Sequence, residues 1–527
     1  MQKHSNRLWI SVLVLGWLFD VLFFKHTPGI SFAIFVIATL GTGLALLWLE
    51  GFQPARANWV LIPLILFFAG FTFLRTEPMS TFLALGLTLL LMAILAVSYR
   101  SKLWIQYGFV NYLVRGISLA GNMIVLPLKF ALEQRDAQTE ERSSQKKWKY
   151  FGPVVRGLLL AIPVVAFFTA LLYSADLVFA NDLTNFASIF RLEKLPEYIL
   201  QMCLIALCAY ALAGVYLFAA QRTEDQKLTG SDKPLFPAFL GIIETSIVLG
   251  GVVLLFALFV GVQFQYFFGG QANITISGLT YAEYARKGFG ELALVAFFAQ
   301  ILFLGLSTIT HRTTASSKKI FSGLGVALFL TVAIMLFSAY QRLQLYENAY
   351  GFTRLRTYTH VFMIWVAVLL AFEVILDLYG RQRFFALAFL VCVIGFSGSL
   401  LVLNVDTFIV KNNLARFETG QTLDVGYLAS LSSDSVPAEV AAFENPSLSP
   451  AARDRVGAVL ACIQHESGNR RMDPSWQAFN FSRYWADQAA SRLGTSLSKY
   501  AVLDVTGRTM ISSPLGEKYD CTLAVSN

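Results

Sequence analysis

The sequence predicts an all-α polytopic membrane protein of about eleven transmembrane helices, with a small, mainly α-helical C-terminal domain outside the membrane. Three observations lead to this prediction. Hydrophobic residues make up 56% of the 527 positions and charged residues only 14%, whereas soluble domains carry about 25% charged residues. Apolar stretches long enough to cross a bilayer recur through residues 1–403. Residues 404–527 have the composition of an ordinary globular domain, so we place the domain boundary there.

Each predicted span is an apolar run of about 17 residues or more, the length that a helix needs to cross the hydrocarbon core. The first run lacks the small-residue cleavage site of a signal peptide, so we interpret it as a span. An odd number of spans places the two ends of the chain on opposite sides of the membrane. The predicted spans are 8–24, 30–49, 58–74, 79–99, 152–173, 198–220, 238–268, 288–310, 320–340, 358–378 and 384–403.

Residues 104–130 are a separate case, because this apolar run carries several polar side chains, among them Gln106, Arg115 and Asn122. We interpret it as an amphipathic helix that lies in the interface or re-enters the membrane. The alternative is a further span, which would move every later loop to the other side. The charged stretch 131–150 has no apolar periodicity and is predicted to be a cytoplasmic loop.

The distribution of basic residues indicates the orientation. With the N-terminus in the cytoplasm, the inner loops collect 20 Lys and Arg residues and the outer loops 9, which is the bias expected of a cell-membrane protein. The C-terminal domain is then extracytoplasmic. The net charge of +8 arises in residues 1–403, where there are 30 basic and 20 acidic residues. The charge therefore fits loops beside membrane lipids, and we predict no nucleic-acid partner.

Two cysteines, Cys462 and Cys521, stand apart from the others because they lie in the C-terminal domain. They are a candidate disulfide if the domain faces an oxidising compartment. The alternative is a pair of free thiols. His465 lies three residues after Cys462, but a zinc site needs more ligands at consistent spacing. We predict no metal site and, without a phosphate-binding or dinucleotide motif, no cofactor.

A group of charged residues precedes the eighth span. If this segment is helical, Glu283, Lys287 and Glu291 fall at i, i+4 and i+8 and form one column, with Arg286 beside it. A long uncharged run follows Glu291, so its carboxylate lies at or just below a membrane surface, where an ionisable group is a functional hypothesis by default. Two interpretations stay open, a self-neutralised interfacial helix and a substrate or ion gate.

Two further carboxylates, Asp20 and Glu373, lie inside predicted spans and are candidate intramembrane functional residues for the same reason. Asp20 is close enough to Lys25 for a local ion pair. Asp377, one turn beyond Glu373, has Arg381 at i+4, which favours a structural pair at the cytoplasmic end.

The outer loop before the tenth span combines aromatic residues with Arg354 and Arg356. We consider two interpretations of these arginines. One is an anion-binding site. The other is an interfacial aromatic belt in which arginines extend their charged ends to the surface.

Several motifs spread over nearly the whole chain lead to a family resemblance. They are 17–24 with Pro28-Gly29, 281–292, 349–356, 404–406 with Asn412 and Asn413, and 423–428 with 435–437. With these motifs the chain resembles bacterial multi-pass membrane proteins catalogued as domain of unknown function 4173, and the sister family 4153. The resemblance implies a bacterial inner-membrane location, but it brings no established activity, cofactor or catalytic residue.

The leading functional hypothesis is a non-enzymatic membrane protein, either a transporter or a signalling and scaffolding component of the cell envelope. One alternative is a membrane-embedded transferase with a lipid-linked donor, in which Asp20 would serve as base or metal ligand. Another is a sensor whose external C-terminal domain binds a ligand or a protein partner.

Overall fold

The computed structural model describes residues 5–141, 165, 195–221, 239–268, 289–469, 475–505 and 508–521. The described chain is almost entirely helical, and its only sheet is small and lies near the C-terminus. The helices, numbered in chain order, are α1 Ser5–Phe23, α2 Ile30–Leu49, α3 Leu61–Leu74, α4 Pro78–Ser98, α5 Phe109–Glu141, α6 Leu195–Ala220, α7 Ile242–Phe268, α8 Phe289–Ile309, α9 Ala315–Tyr350, α10 Arg354–Leu378, α11 Phe385–Leu403, α12 Val405–Glu418, α13 Val425–Ala429, α14 Val436–Glu444, α15 Pro450–Asn469, α16 Phe481–Ser491 and α17 Gly494–Leu497. The strands are β1 Ala501–Val505, β2 Arg508–Ser512 and β3 Lys518–Asp520.

Within the described residues, eleven helices are long and apolar enough to cross a membrane. The predicted fold class is therefore confirmed. The set of helices differs from the predicted one at two places: Phe109–Gln134 is among the eleven, and the predicted span 152–173 falls outside the described residues apart from residue 165. Ten of the predicted spans coincide with helices of the structure.

The chain divides into two compact units. The first contains Met1–His26, Ile34–Pro54 and Arg115–Arg222, and the second contains Thr27–Ala33, Ala55–Val114 and Thr223–Asn527. The predicted boundary at 403/404 falls inside the second unit, where α11 meets α12 at Asn404. This residue has a left-handed backbone (φ 53°), and its side chain accepts a hydrogen bond from the Thr407 amide at 3.4 Å.

In the first unit, α1 and α6 pack closely because a glycine lies at their crossing. A Cβ atom on Gly16 would come within 2.5 Å of the Ile205 carbonyl oxygen, so only glycine permits this approach. At one end of the pair, the Lys25 ammonium meets the Glu197 carboxylate at 2.5 Å. The two helices are therefore antiparallel.

The C-terminal half of α5 packs against this pair. Met123 touches the backbone of Gly214 in α6, and Gln134 accepts a hydrogen bond from the Trp9 indole in α1 at 3.4 Å. The placement of residues 104–130 in the interface stays a prediction.

In the second unit, the membrane helices have two distinct ends. The domain end carries the α3–α4 and α9–α10 turns, residues 75–78 and 350–354, and contacts the C-terminal domain. The far end carries residues 99–107, 310–314 and 379–384. There the Asn58 amide donates to the Ser98 carbonyl at 2.5 Å, and Arg312 donates to Gln382 at 2.9 Å.

The C-terminal residues form an apolar core, to which α15 contributes Val456, Val459 and Leu460 and which Leu400 of α11 also joins. Strands β1 and β2 pair antiparallel with Leu503 opposite Met510, and β3 adds a third strand. Cys462 in α15 and Cys521 after β3 form a disulfide, with 5.7 Å between their Cα atoms.

Candidate functional site

A cavity of about 500 Å³ opens at the domain end of the second unit, between α9, α10 and the beginning of the C-terminal domain. This volume is within the range of small-molecule sites. Polar side chains line its membrane-helix walls: Tyr340, Gln344, Glu347 and Asn348 from α9, and Thr357 and His360 from α10. Phe408 of α12 and Phe352 of the α9–α10 turn close it on the side of the C-terminal domain.

The centre of the cavity wall is a close contact between a histidine and a glutamate. His360 Nε2 lies 2.8 Å from Glu347 Oε2, with 15% and 3% of the two side chains exposed. The Tyr340 ring meets the His360 ring edge-on at 4.7 Å between centroids. The second carboxylate oxygen, Glu347 Oε1, is buried and has no hydrogen-bond partner among the described residues. His360 Nε2 is likewise buried and has no hydrogen-bond partner among the described residues. Leaving such atoms without a partner is costly, so this wall has unused hydrogen-bonding capacity.

Helical spacing brings these residues together. Tyr340, Gln344 and Glu347 fall at i, i+4 and i+7 and share one face of α9. The chain then reverses at Gly351, whose φ of +85° favours glycine. Phe352 is fixed by Asn413 of the C-terminal domain, whose side chain accepts from its amide at 2.7 Å and donates to its carbonyl at 2.9 Å.

The first turn of α10 joins the cavity to the C-terminal domain through a buried ion pair. Arg354 Nε and Nη2 donate to the two oxygens of Asp406 at 2.8 and 2.7 Å. Asp406 is fully buried and also accepts from the Ser432 amide at 2.8 Å. A bidentate, charge-assisted pair of this kind fixes both position and orientation.

A second set of contacts joins the α3–α4 turn to the same domain. The Asp434 carboxylate accepts from the amides of Thr76 and Glu77 at 3.1 Å. Burial raises the pKa of Asp434, while these hydrogen bonds act in the opposite direction. Glu77 itself caps α4 by accepting from the Ser80 amide at 2.7 Å, and its other oxygen accepts from the Tyr358 hydroxyl.

The structure assigns partners to both arginines of the predicted anion site. Arg354 is neutralised by Asp406. Arg356 stacks over the Tyr346 ring at 4.2 Å and donates to the Gly351 carbonyl. Binding of a small anion by these arginines stays a prediction.

The candidate intramembrane carboxylates do not form one site in the second unit. Glu373 is buried, with 4% exposed, in the last two turns of α10 at the far end. Glu291 is exposed in the first turn of α8, and the residue beyond the other end of that helix, Thr310, is at the far end. The 18 residues between Glu291 and Ile309 span about 27 Å. Glu283, Arg286 and Lys287 lie outside the described residues.

Two local ion pairs expected from the sequence have other partners in the structure. Asp377 faces Arg312 at 3.7 Å rather than Arg381 at i+4. In the first unit, Lys25 pairs with Glu197, and Asp20 accepts a hydrogen bond from Gln201 at 3.4 Å. In both cases the partner comes from a distant part of the sequence.

Sequence reasoning missed the Glu347–His360 pair. A signal was present, because His360 is one of only five histidines in the chain and lies near the start of a predicted span. Among the described residues there is no group of three or more His, Cys, Asp or Glu side chains that could hold a metal ion.

The helices and this cavity define a polytopic helical membrane protein with a small-molecule-sized site where the membrane helices meet a C-terminal domain. The family model described as Domain of unknown function (DUF4153) matches residues 61–442. The chain therefore belongs to that family, which is the second of the two families that its motifs resemble. No curated protein and no solved structure matches the chain.

Proposed function

We propose that this protein is a non-enzymatic sensor of the bacterial cell envelope, which binds a small organic cation in the α9–α10 cavity and signals through its C-terminal domain. The unpartnered Glu347 Oε1 is the observation that carries the proposal. It leaves unused hydrogen-bonding capacity in the wall of a cavity of suitable size. Tyr340, Phe352 and Phe408 surround it with aromatic walls, which favour a cation.

The coupling to the C-terminal domain is supported by the position of the cavity. Phe408 belongs to α12, and Phe352 is hydrogen-bonded to Asn413 of the same helix. A ligand that touches Phe408 and His360 therefore contacts the domain and α10 at once. Because α10 starts with the Arg354–Asp406 pair, a shift of α10 changes how the domain is held. A signal requires that the ligand favour one of two such arrangements.

Orientation supports the same role. The excess of basic residues in the predicted inner loops favours an extracytoplasmic C-terminal domain. The disulfide between Cys462 and Cys521 is the kind of bond that persists in oxidising compartments. The cavity would then receive a solute from outside the cell.

A binding experiment on the purified full-length protein tests the proposal. Choline, ethanolamine, putrescine and arginine serve as cationic probes, and glycerol and acetate as neutral and anionic ones, with calorimetry as the readout. We expect at least one cation to bind and Glu347→Gln to weaken it by about tenfold or more, since a tenfold change is only 1.4 kcal/mol. Glu373→Gln is the matched control, because it removes a buried carboxylate outside the cavity. Equal binding by wild type and Glu347→Gln would overturn the proposal.

A second candidate function is transport, favoured by the buried carboxylate of Glu373, whose two oxygens have no hydrogen-bond partner among the described residues. It lies on α10, thirteen residues beyond His360. The buried face between them is apolar, with Met363, Val366 and Leu370, so transport would require a rearrangement that opens this seal. Uptake of the bound cation into proteoliposomes that is lost in Glu373→Gln would favour transport over sensing.

A further inference from the structure

A second cleft, of about 400 Å³, lies at the domain end of α3. Phe71, Leu74 and Arg75 form its membrane side, and Phe481, Ser482 and Trp485 of α16 form the opposite side. The two sides are held together directly, because the Asn480 side chain donates to the Arg75 carbonyl at 3.1 Å. The Phe73 and Phe481 rings also pack at 5.9 Å between centroids.

The positively charged side chain of this cleft belongs to a residue at the end of a membrane helix. Arg75 directly follows α3, and its Nε donates to the Leu401 carbonyl at 3.1 Å. This bond fixes the guanidinium, and no hydrogen bond from its two terminal amino groups is found among the described residues. The nearby Asp434 carboxylate accepts hydrogen bonds from the Thr76 and Glu77 amides, and the charge of Arg75 also lowers its pKa. The phosphate of a ligand would therefore share Arg75 with a carboxylate that backbone donors already stabilise.

The apolar part of the cleft continues the lipid-facing surface of α3. Leu66, Phe67 and Leu74 are 37–40% exposed on this helix, as expected of side chains that face acyl chains. Across the cleft, Trp485 is 54% exposed and Phe481 37%. Exposed tryptophan beside an arginine at a helix end is typical of the membrane interface. The wall formed by α16 therefore belongs at the level of the lipid headgroups.

We propose that this cleft binds one glycerophospholipid from the leaflet on the side of the C-terminal domain. The phosphodiester contacts the terminal amino groups of Arg75. One acyl chain follows Leu74, Phe71 and Phe67 along α3, and Trp485 covers the glycerol region. The lipid thereby bridges a membrane helix and the C-terminal domain. This site is separate from the α9–α10 cavity and does not depend on its proposed function.

Native mass spectrometry of the full-length protein in a mild detergent tests the proposal. We expect the wild type to retain a phospholipid adduct and Arg75→Gln to lower its occupancy by about fivefold or more. Arg356→Gln is the matched control, because Arg356 is also an arginine at the domain end of a membrane helix but lies outside the cleft. Trp485→Ala provides a second variant at an exposed position, and it should lower occupancy even if Arg75→Gln fails to fold.

Measurements of thermal stability distinguish binding of a lipid from binding of a free anion. We expect added phosphatidylethanolamine or phosphatidylglycerol in micelles to raise the melting temperature of delipidated wild type, and this rise to be smaller in Arg75→Gln and Trp485→Ala. Inorganic phosphate at the same concentration should leave it unchanged. Stabilisation by inorganic phosphate alone, or wild-type adduct occupancy in both cleft variants, would overturn the proposal.

Discussion

The Arg354 guanidinium and the Asp406 carboxylate form a two-pronged ion pair, with N–O distances of 2.8 and 2.7 Å, where the first turn of α10 meets the C-terminal domain. Asp406 is completely buried and Arg354 is 20% exposed. Removing one partner of such a pair leaves an uncompensated charge in the interior, which is far more costly than removing both. The contact therefore makes the docking of the domain sensitive to any change at α10.

A double-mutant cycle measures this sensitivity. We expect Arg354→Leu or Asp406→Leu alone to destabilise the protein by about 3 kcal/mol or more. The double variant should lose less than the sum of the two, because neither charge is then left buried alone. Thermal unfolding in detergent gives the stability, and limited proteolysis shows whether the domain is released. Additive losses would mean that the two residues act independently, and Arg356→Gln serves as a control at a neighbouring arginine.

Stability should also depend on pH through one buried carboxyl group of the C-terminal domain. Burial raises the pKa of Glu439 in α14 from 4.5 to about 8, with a further contribution from the charge of Asp406 and an opposing one from Ser435. Between these two values the folded protein holds a proton that the unfolded chain has released. Stability therefore falls as the pH rises through this window.

The variant Glu439→Gln removes this proton exchange. We expect its melting temperature to change less than that of the wild type between about pH 5 and pH 9, where the wild type should lose on the order of a few kcal/mol. Glu444→Gln, an exposed position of the same helix, is the matched control and should keep the wild-type pH profile. A Glu439→Gln profile identical to the wild type would contradict the raised pKa.

The sequence was sufficient for the features that depend on local composition. Apolar run length predicted ten helices that the structure describes, and the presence of only two cysteines after residue 403 pointed to Cys462 and Cys521. Ion-pair partners were predicted poorly, because sequence reasoning favours neighbours one turn away. Lys25 instead uses Glu197, and Asp377 uses Arg312. Such partners depend on which helices pack together, and periodicity in one segment carries no information on that.

The same limit explains the missed cavity. Glu347 lies in the last turn of α9 and His360 in the second turn of α10. Each alone resembles an interfacial polar residue. They become a pair only because the chain reverses at Gly351 and aligns the two helices. Phe408, which lines the cavity from α12, is apolar and gives no sequence signal of a site.

Reduction of the disulfide should destabilise the C-terminal domain. Cys462 and Cys521 are 59 residues apart, and a cross-link of this span restricts the unfolded chain by about 4 kcal/mol in the loop-entropy description. We expect a reducing agent to lower the melting temperature of the wild type and the double variant Cys462→Ser/Cys521→Ser to melt at the reduced value. The reductant should have no further effect on that variant. If the reductant lowered the melting temperature of both proteins equally, its effect would come from another thiol.

Labelling of single cysteines tests the predicted orientation. Ser447, in the C-terminal domain, and Lys102, at the far end of the second unit, are both exposed and lie at opposite ends of the same unit. In a background without Cys203, Cys208 and Cys392, we expect a membrane-impermeant maleimide to label Ser447→Cys on intact spheroplasts. It should label Lys102→Cys only after permeabilisation, because the excess of basic residues keeps that end in the cytoplasm. The reverse pattern would invert the orientation, and labelling of both from outside would contradict the arrangement of the membrane helices.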